Sequence, residues 1–127
     1  MIKVMIFIRR RSDLSVEAFR EHYESVHVRL SFEHLPLMLR HARNYPAPLK
    51  GQAEPDYDCV TECWFEDWEA MKQTSALLAA EKRALITEDE ARFMDRDSIR
   101  LRVVEEHVTE RTGGPGGAYA TRGREAS

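Results

Sequence analysis

The first strand of this chain carries apolar side chains on both of its faces, and this pattern limits the folds open to it. The alternation between residues 2 and 11 predicts a strand. One face holds four aliphatic residues, Ile2, Val4, Ile6 and Ile8. The other face holds Met5 and Phe7. A strand of this kind is covered on both sides, whereas a single layer of helices covers only one. The fold therefore needs a second covering layer.

The next segment has the pattern of an amphipathic helix. Ser15 is a suitable N-cap, and Glu17 lies in the first turn, where the helix dipole favours an acidic residue. Apolar residues then recur at spacings of three and four, at Val16, Phe19, Tyr23, Val26 and Leu30. At about 100° per residue, His27 lies roughly 60° from the centre of this stripe. The pattern predicts a helix with a histidine at the edge of its buried face.

Three further strands are predicted, at residues 37–46, 57–65 and 99–108. A loop with proline and glycine, at residues 47–56, separates the first two of them. In the strand at 57–65 the side chains of Cys59, Thr61 and Cys63 face one way, and Trp64 faces the other.

A second helix is predicted between the last two strands. Asp67 is a plausible N-cap for it, and its inner stripe is formed by Trp68, Met71, Ser75 and Leu78. Thr87 and Glu90 have capping-box spacing, which predicts a short additional helix at residues 88–94.

The order of elements is strand, helix, strand, strand, helix, strand, which predicts an α+β fold of the ferredoxin-like βαββαβ type. Its four-stranded antiparallel sheet has helices on one face only. A second copy of the same sheet is the simplest cover for the other face, so we expect a homodimer, the dimeric α+β barrel. The alternative is a monomer whose outer face is partly shielded by the tail. The domain is expected to span residues 1–111, and the glycine-rich tail at 112–127 is expected to be disordered.

Composition argues against several classes of partner. The chain has 19 Lys and Arg residues against 22 Asp and Glu, and a net charge of −3, whereas nucleic-acid binding normally needs a basic stripe. No apolar stretch approaches the roughly 20 residues that span a bilayer, and no signal peptide is recognisable. Cys59 and Cys63 are too far apart on one strand for a disulfide, and two free thiols suit a reducing compartment. A cytoplasmic protein that binds neither nucleic acid nor membranes is expected.

Three stretches together resemble a known family. They are Leu14-Ser15-Val16-Glu17-Ala18-Phe19-Arg20 followed by Tyr23 and His27, then Glu62-Cys63-Trp64-Phe65, and finally Asp89-Glu90-Ala91-Arg92-Phe93-Met94-Asp95. In their order and spacing the chain resembles the EthD-domain family of the dimeric α+β barrel superfamily. The resemblance implies a homodimer that uses no metal or organic cofactor.

Members of that family resemble small cyclases, dehydratases, decarboxylases and muconolactone isomerases of aromatic and polyketide pathways. The Glu-Cys-Trp-Phe stretch is similar to that of methylmuconolactone methylisomerases, where a strand cysteine and a helix histidine line the pocket. The resemblance carries these roles to Cys63 and His27. The helix between Phe19 and the histidine differs in length from those isomerases, and residues 47–56 lack a histidine expected in that subgroup.

Three residues are candidates for catalysis. His27 titrates near neutral pH and could act as a general acid or base; the alternative is a histidine hydrogen-bonded at the end of the helix. Tyr23, one turn earlier, could donate a hydrogen bond to a substrate carbonyl, or could simply belong to the core. Cys63 could react only if a positive group lowers its pKa; otherwise it is a small buried residue.

Candidate substrate-binding residues lie on the second and third predicted strands, at His41, Arg43, Asn44 and Trp64. For the three on the second strand, the alternative is a solvated strand end. Arg43 could hold a carboxylate, and Asn44 a carbonyl or hydroxyl group. No metal site is expected: Asp89, Glu90 and Asp95 lack the pattern of a calcium loop and indicate a solvated, capped helix, and the histidines show no paired spacing.

These residues favour a cofactor-free enzyme that uses His27 on a carbonyl-bearing aromatic, lactone or polyketide metabolite, by isomerisation, cyclisation, dehydration or decarboxylation. A second hypothesis is a non-catalytic accessory protein that holds a small hydrophobic or aromatic metabolite in the same pocket. A third is a monooxygenase, either cofactor-free or haem-linked, because related barrels perform both kinds of chemistry.

Overall fold

The computed structural model describes residues 1–80 and 82–122, with residues 82 and 83 described by their backbone alone. The first half of the chain contains β1 (Ile2–Arg10), α1 (Val16–His22), a π-helical turn (Tyr23–His27), α2 (Val28–His34) and β2 (Arg40–Asn44). The second half contains β3 (Cys59–Phe65), α3 (Trp68–Ala79), α4 (Lys82–Phe93), β4 (Met94–Val104), β5 (Val108–Arg111) and β6 (Tyr119–Arg122).

Four of the strands form one antiparallel sheet in the order β2-β3-β1-β4. The doubly apolar strand β1 lies inside it, with Ile2 opposite Phe65 of β3 and Lys3 opposite Val104 of β4. The helices pack on one face of this sheet. The predicted α+β, ferredoxin-like fold with its four-stranded antiparallel sheet is confirmed.

Two apolar clusters join the helices to the sheet. The first contains Ile2, Val4, Leu35, Met38, Cys63 and Phe65. The second contains Ile8, Phe19, Tyr23, Cys59, Phe93 and Met94. On the opposite, open face of the sheet, Met5 and Phe7 remain partly exposed, as their pattern predicts for a face that still needs cover.

The inner face of α3 differs from the predicted stripe. Asp67 is its N-cap, as expected, and accepts a hydrogen bond from the Ala70 amide. However, Trp68 and Ser75 are exposed, and Thr74 is buried. The Thr74 hydroxyl donates to the Ala70 carbonyl within the same helix, so its polar atom is satisfied and the residue can face the core.

The helix predicted at residues 88–94 is wrong in its start. α4 begins at Lys82, so Thr87 lies inside the helix and does not cap it. Capping-box spacing is also the spacing of neighbours on a helix surface, and no glycine or proline interrupts residues 82–93. β4 then begins at Met94, five residues earlier than predicted, and accommodates its polar start by a register shift against β1.

The expected disorder from residue 112 is contradicted as far as residue 122. β5 and β6 pair as an antiparallel hairpin, with Val108 opposite Arg122 and Arg111 opposite Tyr119. The glycine-rich composition indicated disorder, but Gly113, Gly114 and Gly116 have positive φ angles and form the turn of the hairpin. The hairpin thus crosses the boundary expected at residue 111, and residues 123–127 lie outside the described part.

No helix in the described part of the chain is long and apolar enough to cross a membrane.

Candidate active site

The first helical segment changes its winding where the candidate residues lie. α1 begins at Ser15, whose hydroxyl accepts a hydrogen bond from the Ala18 amide at 3.0 Å. From Tyr23 to His27 the winding is π-helical, and the Val28 amide donates to the Tyr23 carbonyl five residues earlier. Such single π turns occur frequently at functional sites.

The π turn places His22 and His27 on one side of the helix. In a regular α-helix, residues five apart point about 140° away from each other, at about 100° per residue. The wider turn stacks them instead, so both imidazoles face α4. His27 is only 4% exposed, and so lies deeper than the edge position predicted from α-helical spacing.

Both histidines bind the same carboxylate, that of Asp89 on α4. His27 Nδ1 lies 2.8 Å from Oδ2, and His22 Nε2 lies 2.9 Å from Oδ1. Arg92 adds a third contact to Oδ1 at 3.2 Å. Asp89 is 1% exposed, so the prediction of a solvated carboxylate here is wrong. The three donors allow an acidic side chain to be buried.

The charge states in this cluster follow from burial and hydrogen bonding. Burial alone would raise the pKa of Asp89, but the hydrogen bonds from His27 and His22 prevail and lower it. Asp89 is therefore ionised at neutral pH and can only accept hydrogen bonds, so the His27 proton resides on Nδ1. Burial lowers the pKa of His27, although Asp89 opposes the shift. His27 is consequently a neutral imidazole, and none of the described hydrogen bonds engages its basic Nε2.

Tyr23 lies beside His27, with ring centroids 5.6 Å apart, but its hydroxyl points to the sheet. The hydroxyl oxygen is 2.5 Å from Thr61 Oγ1, and the ring is 2% exposed. Burial raises the pKa of Tyr23 well above its usual value. In this arrangement Tyr23 anchors the π turn to β3, and its predicted hydrogen bond to a substrate stays a prediction.

His41 joins His27 and Tyr23 from the sheet side. Its ring centroid is 5.8 Å from that of Tyr23, and its pKa is lowered to about 4 by burial, by Arg43 and by His27. Arg43 Nη1 lies 3.1 Å from His41 Nδ1. A guanidinium can only donate, so Nδ1 is the acceptor and the neutral His41 carries its proton on Nε2.

Arg43 is already bound to a carboxylate of its own chain. Its Nε and Nη2 atoms donate to the two oxygens of Glu24 at 2.9 and 3.0 Å. Tyr45 donates its hydroxyl to the same carboxylate. A substrate carboxylate would have to displace Glu24 from Arg43, so the carboxylate-binding role of Arg43 stays a prediction.

Asn44 and Trp64 lie on the open face of the sheet, away from His27. The Asn44 amide donates to the Val60 carbonyl and to Glu62, both at 2.9 Å. The Trp64 ring lies between the cationic groups of Lys3 and Arg40, at 5.1 and 4.5 Å from its centroid. The structure therefore groups His27, Tyr23, His41, Arg43 and Cys63 on the helix side and separates these two residues from them.

Comparison with known proteins assigns the family. Residues 11–97 match the family model described as the EthD domain. The chain belongs to the EthD-domain family. A comparison of its sequence with curated proteins finds no match.

Solved structures share the fold of this EthD domain at low sequence identity. An EthD family protein from Bacillus halodurans is 20% identical, with a TM-score of 0.63 over 84% of this chain and 98% of its own. HapK from Hahella chejuensis is 18% identical, with a TM-score of 0.62 over 93% and 99% of the two chains. A dimeric ferredoxin-like protein of unknown function from Bacteroides fragilis is 11% identical, with a TM-score of 0.55 over 83% and 95%.

Cys63 lies in surroundings that favour an inert thiol. It is 7% exposed within the first apolar cluster, opposite His41 in the sheet. Burial raises the pKa of Cys63 to about 12 and that of Cys59 to about 11. The similarity to methylisomerases, which gave Cys63 its catalytic role, stays a prediction.

We therefore expect both thiols of the EthD domain to react slowly with a chromogenic disulfide reagent. At pH 8 each should react at least about a hundredfold more slowly in the folded protein than in urea, because only the thiolate attacks. A Cys59→Ser variant leaves Cys63 as the single thiol and assigns its rate. A folded Cys63 that reacts as fast as the unfolded one would show that it is activated.

Two clefts lie elsewhere on the surface. One of about 910 Å³ is bounded by the open sheet face and by the β5–β6 hairpin. The other, of about 1110 Å³, lies beside the loop between β2 and β3. His27 lines neither of these two clefts, and it is buried between the helices and the sheet. Across residues 1–80 and 82–122, no group of three or more His, Cys, Asp or Glu side chains is arranged to hold a metal ion.

Proposed function

We propose that this EthD domain is a cofactor-independent enzyme that moves a proton on a carbonyl-bearing aromatic, lactone or polyketide metabolite. The observation that carries the proposal is the buried pair of His27 and Asp89, 2.8 Å apart, which holds the His27 proton on Nδ1 and leaves Nε2 basic. A neutral imidazole of this kind can accept a proton from carbon or oxygen and return it.

Each group has a distinct part in this mechanism. His27 Nε2 takes the proton, and the ionised Asp89 stabilises the imidazolium that forms, as the acidic member of a catalytic triad does. The Nε2 proton of His41 is available to stabilise negative charge developing on the carbonyl oxygen. Isomerisation, cyclisation, dehydration and decarboxylation all use this pair of steps, so the proposal covers the class of reaction and not one member.

Substrate access requires the closed site to open. His27 is 4% exposed, and His41 on β2 lies against Phe32 of α2, with ring centroids 6.4 Å apart. Phe32 is itself 42% exposed, so we propose that separation of α2 from β2 gives access to His27.

A second candidate is a metabolite-binding accessory protein without turnover, which would use the same buried histidine. A histidine that lines neither cleft could serve to hold a ligand carbonyl after the site has opened. In that case the His27 imidazole would contribute hydrogen bonding and no proton transfer.

Proton exchange at carbon distinguishes the two candidates. The protein is incubated in D₂O with a panel of lactones, cyclic ketones and aromatic β-keto compounds, and loss of the proton beside the carbonyl is followed by NMR. The enzyme hypothesis expects catalysed exchange with at least one compound. Binding to panel members, seen as saturable changes in their signals, without exchange in any of them would contradict it and support the accessory protein.

The open face of the sheet is proposed as a homodimer interface. Its inner strands carry Met5 and Phe7 beside the ion pair of Lys3 and Glu62, and its edge strands add charged residues such as Arg40. Apolar groups mixed with polar and charged ones are the usual composition of an interface between subunits. The Bacteroides fragilis protein of the same fold is described as dimeric.

Sedimentation equilibrium at micromolar concentration should therefore give a mass near twice 14.8 kDa. Phe7→Glu should give the monomer mass, because it places a charge in the proposed interface. The variant should still fold, because the new carboxylate can pair with Arg100 on the neighbouring strand. Gln73→Glu adds the same charge on the exposed side of α3 and should leave the dimer intact. A parent protein that sediments as a folded monomer would refute the dimer.

A further inference from the structure

We propose that His22 is a positioning residue of the candidate site, which fixes the proton of His27 on Nδ1 by holding the far oxygen of Asp89. The inference rests on the proposed function for its catalytic meaning, but its structural claim can be tested without a substrate.

The three side chains are connected by two hydrogen bonds through the Asp89 carboxylate. His22 Nε2 binds Oδ1 of Asp89 at 2.9 Å, and His27 Nδ1 binds Oδ2 at 2.8 Å. Since each oxygen has its own imidazole, the carboxylate cannot rotate without losing a hydrogen bond. The ionised carboxylate accepts from both, so His22 carries its proton on Nε2.

Arg92 is a weaker holder of the same oxygen. It reaches Oδ1 at 3.2 Å from within α4, and 62% of its side chain is exposed. Exposed ion pairs on one helix contribute little orientation. The side chain of His22 is 24% exposed, so His22 is the more buried of the two donors and makes the shorter contact.

The Phe93 ring packs against the His22 ring. The two ring centroids are 4.6 Å apart at an angle of 34°, and Phe93 is fully buried at the end of α4. The same phenyl ring lies 5.0 Å from His27. Phe93 therefore sets the positions of both imidazoles relative to Asp89.

The charged and titratable groups that face His27 are Asp89 and Glu90 from α4, His22 from α1 and His41 from β2. Among these four, and within the described residues, only Asp89 is hydrogen-bonded to His27, and only His22 is hydrogen-bonded to that same carboxylate. A change at His22 should thus reach the His27 tautomer through Asp89.

The test is nitrogen NMR of the full, ¹⁵N-labelled chain at pH 7, which distinguishes protonated from unprotonated imidazole nitrogens. The signals of His27 are those that disappear in His27→Gln, and the signals of His22 are those that disappear in His22→Gln. In the parent, His27 should be protonated on Nδ1 and His22 on Nε2. His22→Phe keeps a ring on Phe93 but removes the donor, so that the Asp89 carboxylate can turn and its hydrogen bond to His27 Nδ1 weakens. The ratio of the Nε2–H to the Nδ1–H form of His27 should rise about five- to tenfold, a part of the factor of about ten or more that complete loss of a hydrogen bond to an ionised carboxylate would give.

His22→Gln offers an amide donor and should restore the parent tautomer. The matched control is His34→Gln on α2, which should change nothing. An unchanged His27 tautomer in His22→Phe would overturn the inference, as would a Gln variant that behaves like the Phe variant. If His22→Phe fails to fold, the parent protein and His22→Gln still test the inference. A parent in which His22 is protonated on Nδ1 overturns it. A parent in which His22 is protonated on Nε2, together with a His22→Gln variant that keeps the parent tautomer of His27, supports it.

The outcomes separate this inference from the proposed function. Suppose that the His27 tautomer responds to changes at His22, but that the protein only binds the panel compounds and exchanges none of their carbon-bound protons. This result would refute the enzyme hypothesis and keep the positioning role of His22. Catalysed proton exchange with a tautomer indifferent to His22 would refute only the positioning role.

Discussion

Replacing His27 by alanine should lower the rate of proton exchange on a responsive carbonyl compound by about two to four orders of magnitude, the usual contribution of general acid–base catalysis. The reason is the free Nε2 of a neutral imidazole whose other nitrogen is bound to Asp89. Binding of the compound should change far less, because His27 acts on a proton and supplies little of the contact surface.

His27→Gln is the informative companion. Glutamine keeps hydrogen-bonding ability but cannot exchange a proton near pH 7, so it should be as slow as alanine. The parent rate should fall as the pH is lowered and His27 becomes protonated, and this fall should be absent from both variants. If His27→Gln exchanges protons at the parent rate, His27 does not act as the acid or base. If His27→Gln only binds the compound more tightly than His27→Ala does, the result favours the binding protein.

Replacing Asp89 by alanine should have the largest effect on stability. It leaves the donors on His22 and His27 facing each other without an acceptor, and we expect a loss of about 3 kcal/mol in the free energy of unfolding. Urea denaturation measures the loss. Glu88→Ala, at the exposed neighbouring position on α4, should change the free energy by less than about 0.5 kcal/mol.

The Asp89 contribution should depend on pH in one direction. Its pKa is lower in the folded protein than in the unfolded chain, where it is about 3.9. Between the folded and the unfolded pKa of Asp89, the unfolded chain therefore binds more protons than the folded protein does. The contribution of ionised Asp89 to the free energy of unfolding is complete above about pH 4 and declines as the pH falls through the folded pKa. Below about pH 4, where the histidines are already protonated, the gap between parent and Asp89→Ala should narrow as the pH falls. A gap that widens in that range would contradict an ionised, hydrogen-bonded Asp89.

The fold was largely predictable because local pattern and tertiary structure agree over most of its length. The double-sided apolar pattern of β1 marks an inner strand, and the Ser15 and Asp67 caps mark true helix starts. Prediction failed where one local signal has two structural meanings. Thr87 and Glu90 have the spacing of a cap and of helix neighbours, and the glycines at 113–116 suit both disorder and a tight turn.

The site was only half predictable. His27 stands out because its residue type and spacing suggest chemistry, but Asp89 resembled a surface residue. Its partners are 62 and 67 residues earlier in the chain, so no local pattern could reveal that it is buried between them. Asn44 and Trp64 were predicted to bind substrate together with His41, but strand alternation places both of them on the face of the sheet opposite to His41.

The π turn has a consequence for comparing this chain with its relatives. A helix one residue shorter between His22 and His27 would be a regular α-helix in which two histidines four apart again share one face. The turn thus absorbs an inserted residue while both histidines keep their approach to α4. A relative with a different number of residues before its histidine could place that imidazole in the same position, so an alignment without a gap here would pair His27 with the wrong residue.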